Sequence, residues 1–519
     1  MRAVSGLKLL PGESEDRLYA LSAEALGVPL RLIEELTITR KSLDARRKGS
    51  IHWVYSAAVR LRGEAAEPQE AYDIPALESD ERPVIAGFGP AGMFAALYLA
   101  RAGARPIVLE RGADAETRRA KVERFRAGGE LDMQCNVQFG EGGAGTFSDG
   151  KLNTGTHDGR IAFVLREFAA HGAPRSVVYD AKPHVGTDVL VSVVTSLRRE
   201  IISLGGEVRF MSRLDGLELS GGALAGAYVS SAGGEYLLPC RHLLLATGHS
   251  ARDTFEMLLR CGVPMEPKPF SLGARIEHPQ SAIDLAQYGA PRGALLPAAD
   301  YSLSVRLPGG GTAYTFCMCP GGEVIAAASE SGGVVTNGMS YSRRDGKNAN
   351  SALLVPVRPQ DFPHAGPLGG MLWQREIERR AFEYAGGGYF APAQLVGDFL
   401  AGRASSGAAG VEPSYAPGVF WGDLRRVLPA RVCSGMAEAL PLLGRRLRGF
   451  DAPAAVLTGP ETRSSSPVRI PRGADRCSAL RGLYPCGEGA GWAGGITSAA
   501  VDGLRVAEAV AADMSAVGR

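Results

Sequence analysis

No run of about 18 or more apolar residues occurs in the 519-residue chain, so a membrane-spanning helix is not expected. Met1–Leu10 has neither the apolar core nor the small-residue cleavage site of a secretory signal, and a cytoplasmic location is the expectation. An excess of one charge is missing too. The 57 basic and 55 acidic side chains leave a net charge of +2, which gives no global reason to expect a nucleic-acid partner. The eight cysteines include no C-x-x-C pair and no histidine at zinc-ligand spacing. Reduced thiols and no metal are therefore expected. Internal repeats and low-complexity tracts are absent as well.

What the chain does have is glycine: 68 residues, concentrated in tight turns beside apolar strands. That placement suits close approach of backbone to a ligand. At 519 residues the chain exceeds what one core usually supports, so two or three domains are expected. Residues 1–78 read as a small N-terminal α/β domain, with a strand at Val4–Leu10, a helix from near Ser14, and strands at Leu36–Arg40 and Ser50–Arg62. The acidic, Ala-rich stretch Gly63–Arg82 reads as a linker. Arg40, Lys41, Arg46, Arg47 and Lys48, followed by His52, Trp53 and Tyr55, superficially resemble a nucleic-acid surface. A hairpin tip with a solvated charged face explains them equally well.

From Pro83 a strand leads into Gly87-Phe88-Gly89-Pro90-Ala91-Gly92 and then into the helical spacing of Phe94, Leu97 and Tyr98. The first glycine permits the tight turn, the second lets backbone approach a pyrophosphate, and the third lets the helix pack on the strand. Amides at the helix start then face the phosphates. A second strand, Pro106–Leu109, delivers Glu110, 18 positions after Gly92, where a carboxylate can accept hydrogen bonds from ribose hydroxyls. Strand, turn, helix, strand and acid in this order mark an adenine-dinucleotide site at Gly87, Gly89, Pro90, Ala91, Gly92, Glu110 and Arg111. The motif alone does not separate FAD from NAD.

Three further segments together resemble the glutathione-reductase-type FAD fold. Leu243–Leu245 followed by Ala246-Thr247-Gly248 looks like the strand and turn that return the chain to the FAD sheet. Tyr484-Pro485-Cys486-Gly487-Glu488-Gly489 resembles the late motif in which an acid, usually Asp where this chain has Glu488, meets the ribityl and pyrophosphate region. Gly494-Gly495-Ile496-Thr497-Ser498 begins a helix whose positive end would face the flavin. The loop from Phe139 to Leu152, with Gly142, Gly143, Gly145 and Thr146, has glycines that would let backbone lie against a flat ring. With Thr462–Arg469, Cys317–Gly322 and Asn337–Ser340, it resembles a bacterial family of uncharacterised FAD-dependent dehydrogenases from about Val84 onward. The resemblance implies FAD and oxidoreductase chemistry on a small-molecule substrate. The expected fold is α/β: a Rossmann-like FAD-binding domain of the glutathione-reductase type over 79–268 and 455–519, an inserted mixed α+β domain over 269–454, and the N-terminal α/β domain. No second dinucleotide turn exists, Gly386-Gly387-Gly388 lacking the spacing. Hydride would then come from substrate, from a partner, or from transiently docked NADH or NADPH.

Candidate reacting groups follow the glycine loop and the late strands. Ser148 and Lys151 lie just after the loop, and Lys151 either polarises the flavin or pairs with Asp149. Arg275 and Glu277 share a strand face, so Arg275 either grips a substrate carboxylate or joins a surface ion pair. Arg463 and Arg469 are further anion-binding candidates. Cys317 and Cys319, two apart on a probable strand, form either a thiol redox relay or small buried hydrophobes. Cys135 lies near where disulfide reductases of this fold carry a cysteine pair, but has no neighbouring partner. The leading function is an FAD oxidoreductase; an FAD-dependent RNA-modifying protein and a non-catalytic flavin-binding protein are the alternatives. The oligomeric state is not legible in the sequence.

Overall fold

The computed structural model describes residues 1–66 and 72–517, which form an α/β protein. Residues 67–71 of the expected linker lie outside the described residues. At the N-terminus, Arg2–Leu9 and Ile33–Asp44 pair antiparallel on either side of His52–Leu61. Alternation along His52–Leu61 turns Tyr55, Ala57, Val59 and Leu61 inward, where they meet Val4, Leu7 and, from the helix Arg17–Leu26, Leu18. Two of the hairpin's five basic side chains are paired with carboxylates. Lys41 bonds Glu15 at 2.7 Å and lies over the Trp53 ring, and Arg46 bonds Asp44 at 2.6 Å.

The middle of the molecule is a five-stranded parallel sheet in the order Leu483–Pro485, Leu243–Leu245, Val84–Ala86, Ile107–Leu109, Glu207–Arg209. Each strand is short and four of the five are fully buried, which is why they read as apolar runs with no alternation. The helix Pro90–Arg101 is buried from Ala91 to Ala100 because it lies between this sheet and the closing helix Ile496–Val517. Two glycines allow that closeness: a Cβ at Gly92 would lie 2.0 Å from the Gly87 carbonyl, and one at Gly503 would lie 2.1 Å from that of Ala91. A three-stranded antiparallel sheet, Arg213–Ser220, Ala223–Ser231 and Gly234–Pro239, leads from the edge strand Glu207–Arg209 to the strand Leu243–Leu245, between Leu483–Pro485 and Val84–Ala86.

A seven-stranded sheet follows, in the order Ser304–Arg306, Thr312–Cys319, Asn348–Val357, Phe270–Pro279, Val456–Glu461, Ala391–Leu395, Val419–Trp421. All its pairings are antiparallel except that of Ala391–Leu395 with Val419–Trp421. Helices Gly369–Tyr384 and Ala430–Arg446 pack their apolar faces on it, contributing Ile377, Ala381, Val432, Met436 and Leu440 to its core. The chain then returns to the parallel sheet through Val468–Arg469, which pairs with Glu266–Pro267.

Candidate functional site

The C-terminal ends of the parallel strands open into a cleft enclosing about 1470 Å³ of space, its open mouth included. Four of those ends contribute to its lining: Gly87 follows Ala86, Glu110 follows Leu109, Ala246 follows Leu245, and Cys486 follows Pro485. Ligands of open α/β sheets bind at such ends. Gly87 has φ +99°, and a Cβ there would lie 2.4 Å from the Ala246 carbonyl, so only glycine fits. Gly89 is extended and caps the helix, and a Cβ there would meet only the Gly143 Cα, at 3.6 Å. Pro90 occupies the first helical turn, where its missing N–H costs nothing. The turn, the helix start and Gly143 thus form a shallow backbone cradle with free helix amides.

Glu110 does more than reach for a ligand. Its buried carboxylate accepts from the backbone N–H groups of Phe88 (2.9 Å), Gly112 (2.8 Å) and Gly140 (2.9 Å), tying the glycine turn to the loop across from it. Arg111 lies over the Phe139 ring and forks onto Asp253 at 2.8 and 2.9 Å. The loop itself is held by a residue to which the sequence assigns no role. Arg118 is fully buried and donates to the carbonyls of Asn136, Val137, Gly140, Glu141 and Gly143 at 2.7–3.3 Å. Burial without a bonded carboxylate brings its pKa down to about 10. Its only signal in the sequence is an arginine on the inner face of a strongly polar helix, Ala115–Arg126.

Much of the remaining lining is polar: Cys317, Asn337 and Glu461 from the seven-stranded sheet and its surroundings, and His249 and Glu488 from the loops after Gly248 and Gly487. Burial raises the Glu461 carboxyl to about 7 against the opposing pull of Arg275, whose Nε lies 2.7 Å away. Burial likewise raises Glu488 to about 7, opposed by the Gly495 backbone N–H. His249 is pushed the other way, to about 3, by burial and then by the Arg463 charge. It is therefore neutral, and its Nδ1 is buried without a partner, an atom that a ligand in the cleft would satisfy. Glu461 and His249 escape sequence reading, although each directly adjoins a quoted motif, Thr462–Arg469 and Ala246–Gly248.

Of the residues singled out in the sequence, Gly87, Gly89, Pro90, Ala91, Glu110 and Arg111 line the cleft, as do Gly143, Gly145 and Ser148. Ala246, Thr247, Gly248, Glu488, Gly495 and Ile496 join them from the late segments. Others stand behind this lining. Gly92 serves helix packing, and Gly142 donates its N–H to the Phe88 carbonyl. Thr146 donates to the Glu141 carbonyl and Thr497 to that of Leu152, so both hydroxyls bond backbone. Gly487 packs on Ala91, and Gly494 donates its N–H to the Ser498 hydroxyl. Lys151 lies 3.2 Å from Asp149 and donates to the Met318 carbonyl. Arg275 and Glu277 are both fully buried, which removes the surface-pair reading; Arg275 forms a buried ion pair with Glu461, and Glu277 accepts from Ser414 and Asn348. Arg463 forks onto the buried Glu378, which also binds Arg252. Arg469 stacks on Trp492.

Among the described residues one group offers metal-ligand atoms within 4.8 Å of one another, Glu167, His171 and Glu200. The Arg101 guanidinium bonds both of its carboxylates at 2.7 Å and already supplies the positive charge. No helix among the described residues is long and apolar enough to cross a membrane.

Residues 269–464 match the family described as "FAD-dependent protein, C-terminal domain-like", and residues 1–60 match a domain of unknown function. An uncharacterized protein of Clostridium beijerinckii is 48% identical over 496 residues, covering 92% of each chain. Among solved structures, the flavin-dependent brominase Bmp2 is 13% identical, covering 84% of this chain and 79% of its own, with a TM-score of 0.38. A geranylgeranyl bacteriochlorophyll reductase-like protein of Thermoplasma acidophilum is 12% identical, covering 84% and 79%, with a TM-score of 0.37.

Proposed function

We infer that this chain, which belongs to the same family as the Clostridium beijerinckii protein and carries the C-terminal domain of FAD-dependent proteins, is an FAD-dependent two-electron oxidoreductase of a small molecule. The reading includes a Rossmann-like domain of the glutathione-reductase type and a cytoplasmic location. The observation that carries it is the continuity of one cleft, from the glycine turn at one end to the wall of Cys317, Asn337 and Glu461 at the other. A lining with Gly87, Gly89 and Gly143 suits close approach of a pyrophosphate, and the orphaned His249 Nδ1 suits a polar ligand atom nearby.

In this reading Gly87, Gly89, Pro90 and Ala91 hold the pyrophosphate, Glu110 and Arg111 lie at the adenosine end, and Gly143, Gly145, Gly495 and Ile496 lie at the ring end. Bound FAD would supply hydride acceptance or donation, the part of the chemistry that no side chain provides. The chain's own residues do the rest. The start of the helix Ile496–Val517 directs its positive end into the cleft and favours negative charge there. Glu461 and Glu488, both held near neutrality, can take up or release a proton at working pH. Ser148 offers a hydroxyl on the same lining, while Lys151 and Arg275 act from behind as fixed positive charges. NADH or NADPH would visit the open mouth as a transient donor.

The test is to purify the full chain, add FAD, and remove the excess. A stoichiometric flavin spectrum, bleached anaerobically by NADH, NADPH or a metabolite, is expected. A colourless protein that takes up no FAD refutes the reading.

A further inference from the structure

The strand Thr312–Cys319 keeps regular register with Asn348–Val357 as far as Phe316 and then breaks before Cys319. At the break Cys317 takes φ +43°, a left-handed conformation that a side chain disfavours. Strain of this kind persists only where the surroundings impose it. Here Arg275 donates to the Cys317 carbonyl at 2.7 Å, Lys151 donates to the next carbonyl, that of Met318, and Arg275 is itself fixed by Asn337 and Glu461. The result is that Cys317 enters the cleft lining while Cys319 stays fully buried behind it.

The two thiols interact. The Cys319 S–H donates to the Cys317 carbonyl at 3.2 Å. The neighbouring Cys319 thiol, with the charges of Lys151 and Arg275, lowers the Cys317 pKa, whereas burial raises that of Cys319. The sulfur facing the cleft thus favours the thiolate and its neighbour two residues on favours the thiol, the pair of states from which a disulfide forms. A cysteine that only fills space needs neither the broken register nor two cations on successive carbonyls.

We propose that Cys317 and Cys319 are a redox pair that cycles between dithiol and disulfide, exchanging two electrons with FAD bound in the cleft. The proposal rests on the FAD reading above. On oxidation of the thiolate–thiol pair one S–H bond is lost and one S–S bond forms; the two electrons and one proton released would reduce FAD to its anionic two-electron-reduced form. The reverse transfer restores the thiolate and the thiol.

The test uses the full chain loaded with FAD and mildly oxidised. Anaerobic dithionite titration is expected to consume four electrons per FAD in the wild type and two in Cys317→Ser and Cys319→Ser. Alkylation mapped by mass spectrometry, which needs no variant, is expected to find Cys317 and Cys319 blocked as one disulfide in the oxidised protein and both labelled after reduction. Two electrons per FAD in the wild type, or both thiols free after oxidation, overturns the pair while leaving the FAD reading intact. Failure to retain FAD overturns both.

Discussion

Gly89 and Gly92 lie three residues apart in one turn, yet the structure gives their substitution by alanine opposite consequences. At Gly89 the backbone is extended, and the new Cβ would meet only the Gly143 Cα at 3.6 Å, an ordinary contact. The fold should lose less than about 1 kcal/mol, and restriction of the unfolded chain offsets part of that. The methyl does intrude on the cradle floor, and a loss of FAD affinity of about 10- to 100-fold, about 1.4–2.8 kcal/mol, is expected. At Gly92 the Cβ would lie 2.0 Å from the Gly87 carbonyl oxygen and 3.2 Å from Cγ2 of the buried Ile85. Helix and strand must separate, at about 1–3 kcal/mol or more. Flavin-to-protein ratio after reconstitution and the thermal midpoint of the flavin-free protein measure the two effects separately. A Gly89→Ala protein that binds FAD as the wild type does, or that loses as much thermal stability as Gly92→Ala, refutes the reasoning.

Arg118→Met should remove the buried donor shared by five carbonyls around the glycine loop, of which those of Gly140 and Glu141 keep the Gly143 N–H and the Thr146 hydroxyl, costing about 3–5 kcal/mol and opening residues 136–143 to proteolysis; an unchanged melting curve and digestion pattern would contradict this. Glu488 has a folded pKa raised from 4.5 to about 7. Its stabilising contribution is therefore complete below pH about 4.5 and lost as pH rises through about 7. In flavin-free protein Glu488→Gln should flatten that decline by about 1–2 kcal/mol, a figure reduced because the side chain is 26% exposed; equal slopes in urea melts from pH 5 to 8 would rule it out. The N-terminal hairpin should show no salt-dependent tRNA binding, given the pairing of Lys41 and Arg46 with Glu15 and Asp44. Binding that weakens when Arg46, Arg47 and Lys48 are neutralised would reverse that expectation.

The parts of the fold legible in the sequence are those whose cause is local. Gly87 advertises a positive φ, the run Val84–Ala86 a buried strand, and the alternation in His52–Leu61 a half-buried one. Boundaries were less legible: Ile33–Asp44 extends beyond Leu36–Arg40 at both ends because its partner strand supports it. The helix Arg160–Ala170 also escaped notice, since its apolar face makes sense only against the helix Ile496–Val517.

By itself, then, the sequence determined the glycine turn after Ala86, the buried strands beside it and the glycine loop, because each depends on backbone conformation over a few neighbouring residues. Only the tertiary structure decided which side chains face the cleft. Arg275 reads as a ligand-gripping residue until Glu461, 186 positions later, is found 2.7 Å from it. Cys317 reads as one of two strand cysteines until Arg275 and Lys151 are seen holding the bulge that turns it outward. These are contacts between residues far apart in the chain, and such contacts decide which charge is spent on the fold and which group is left to act.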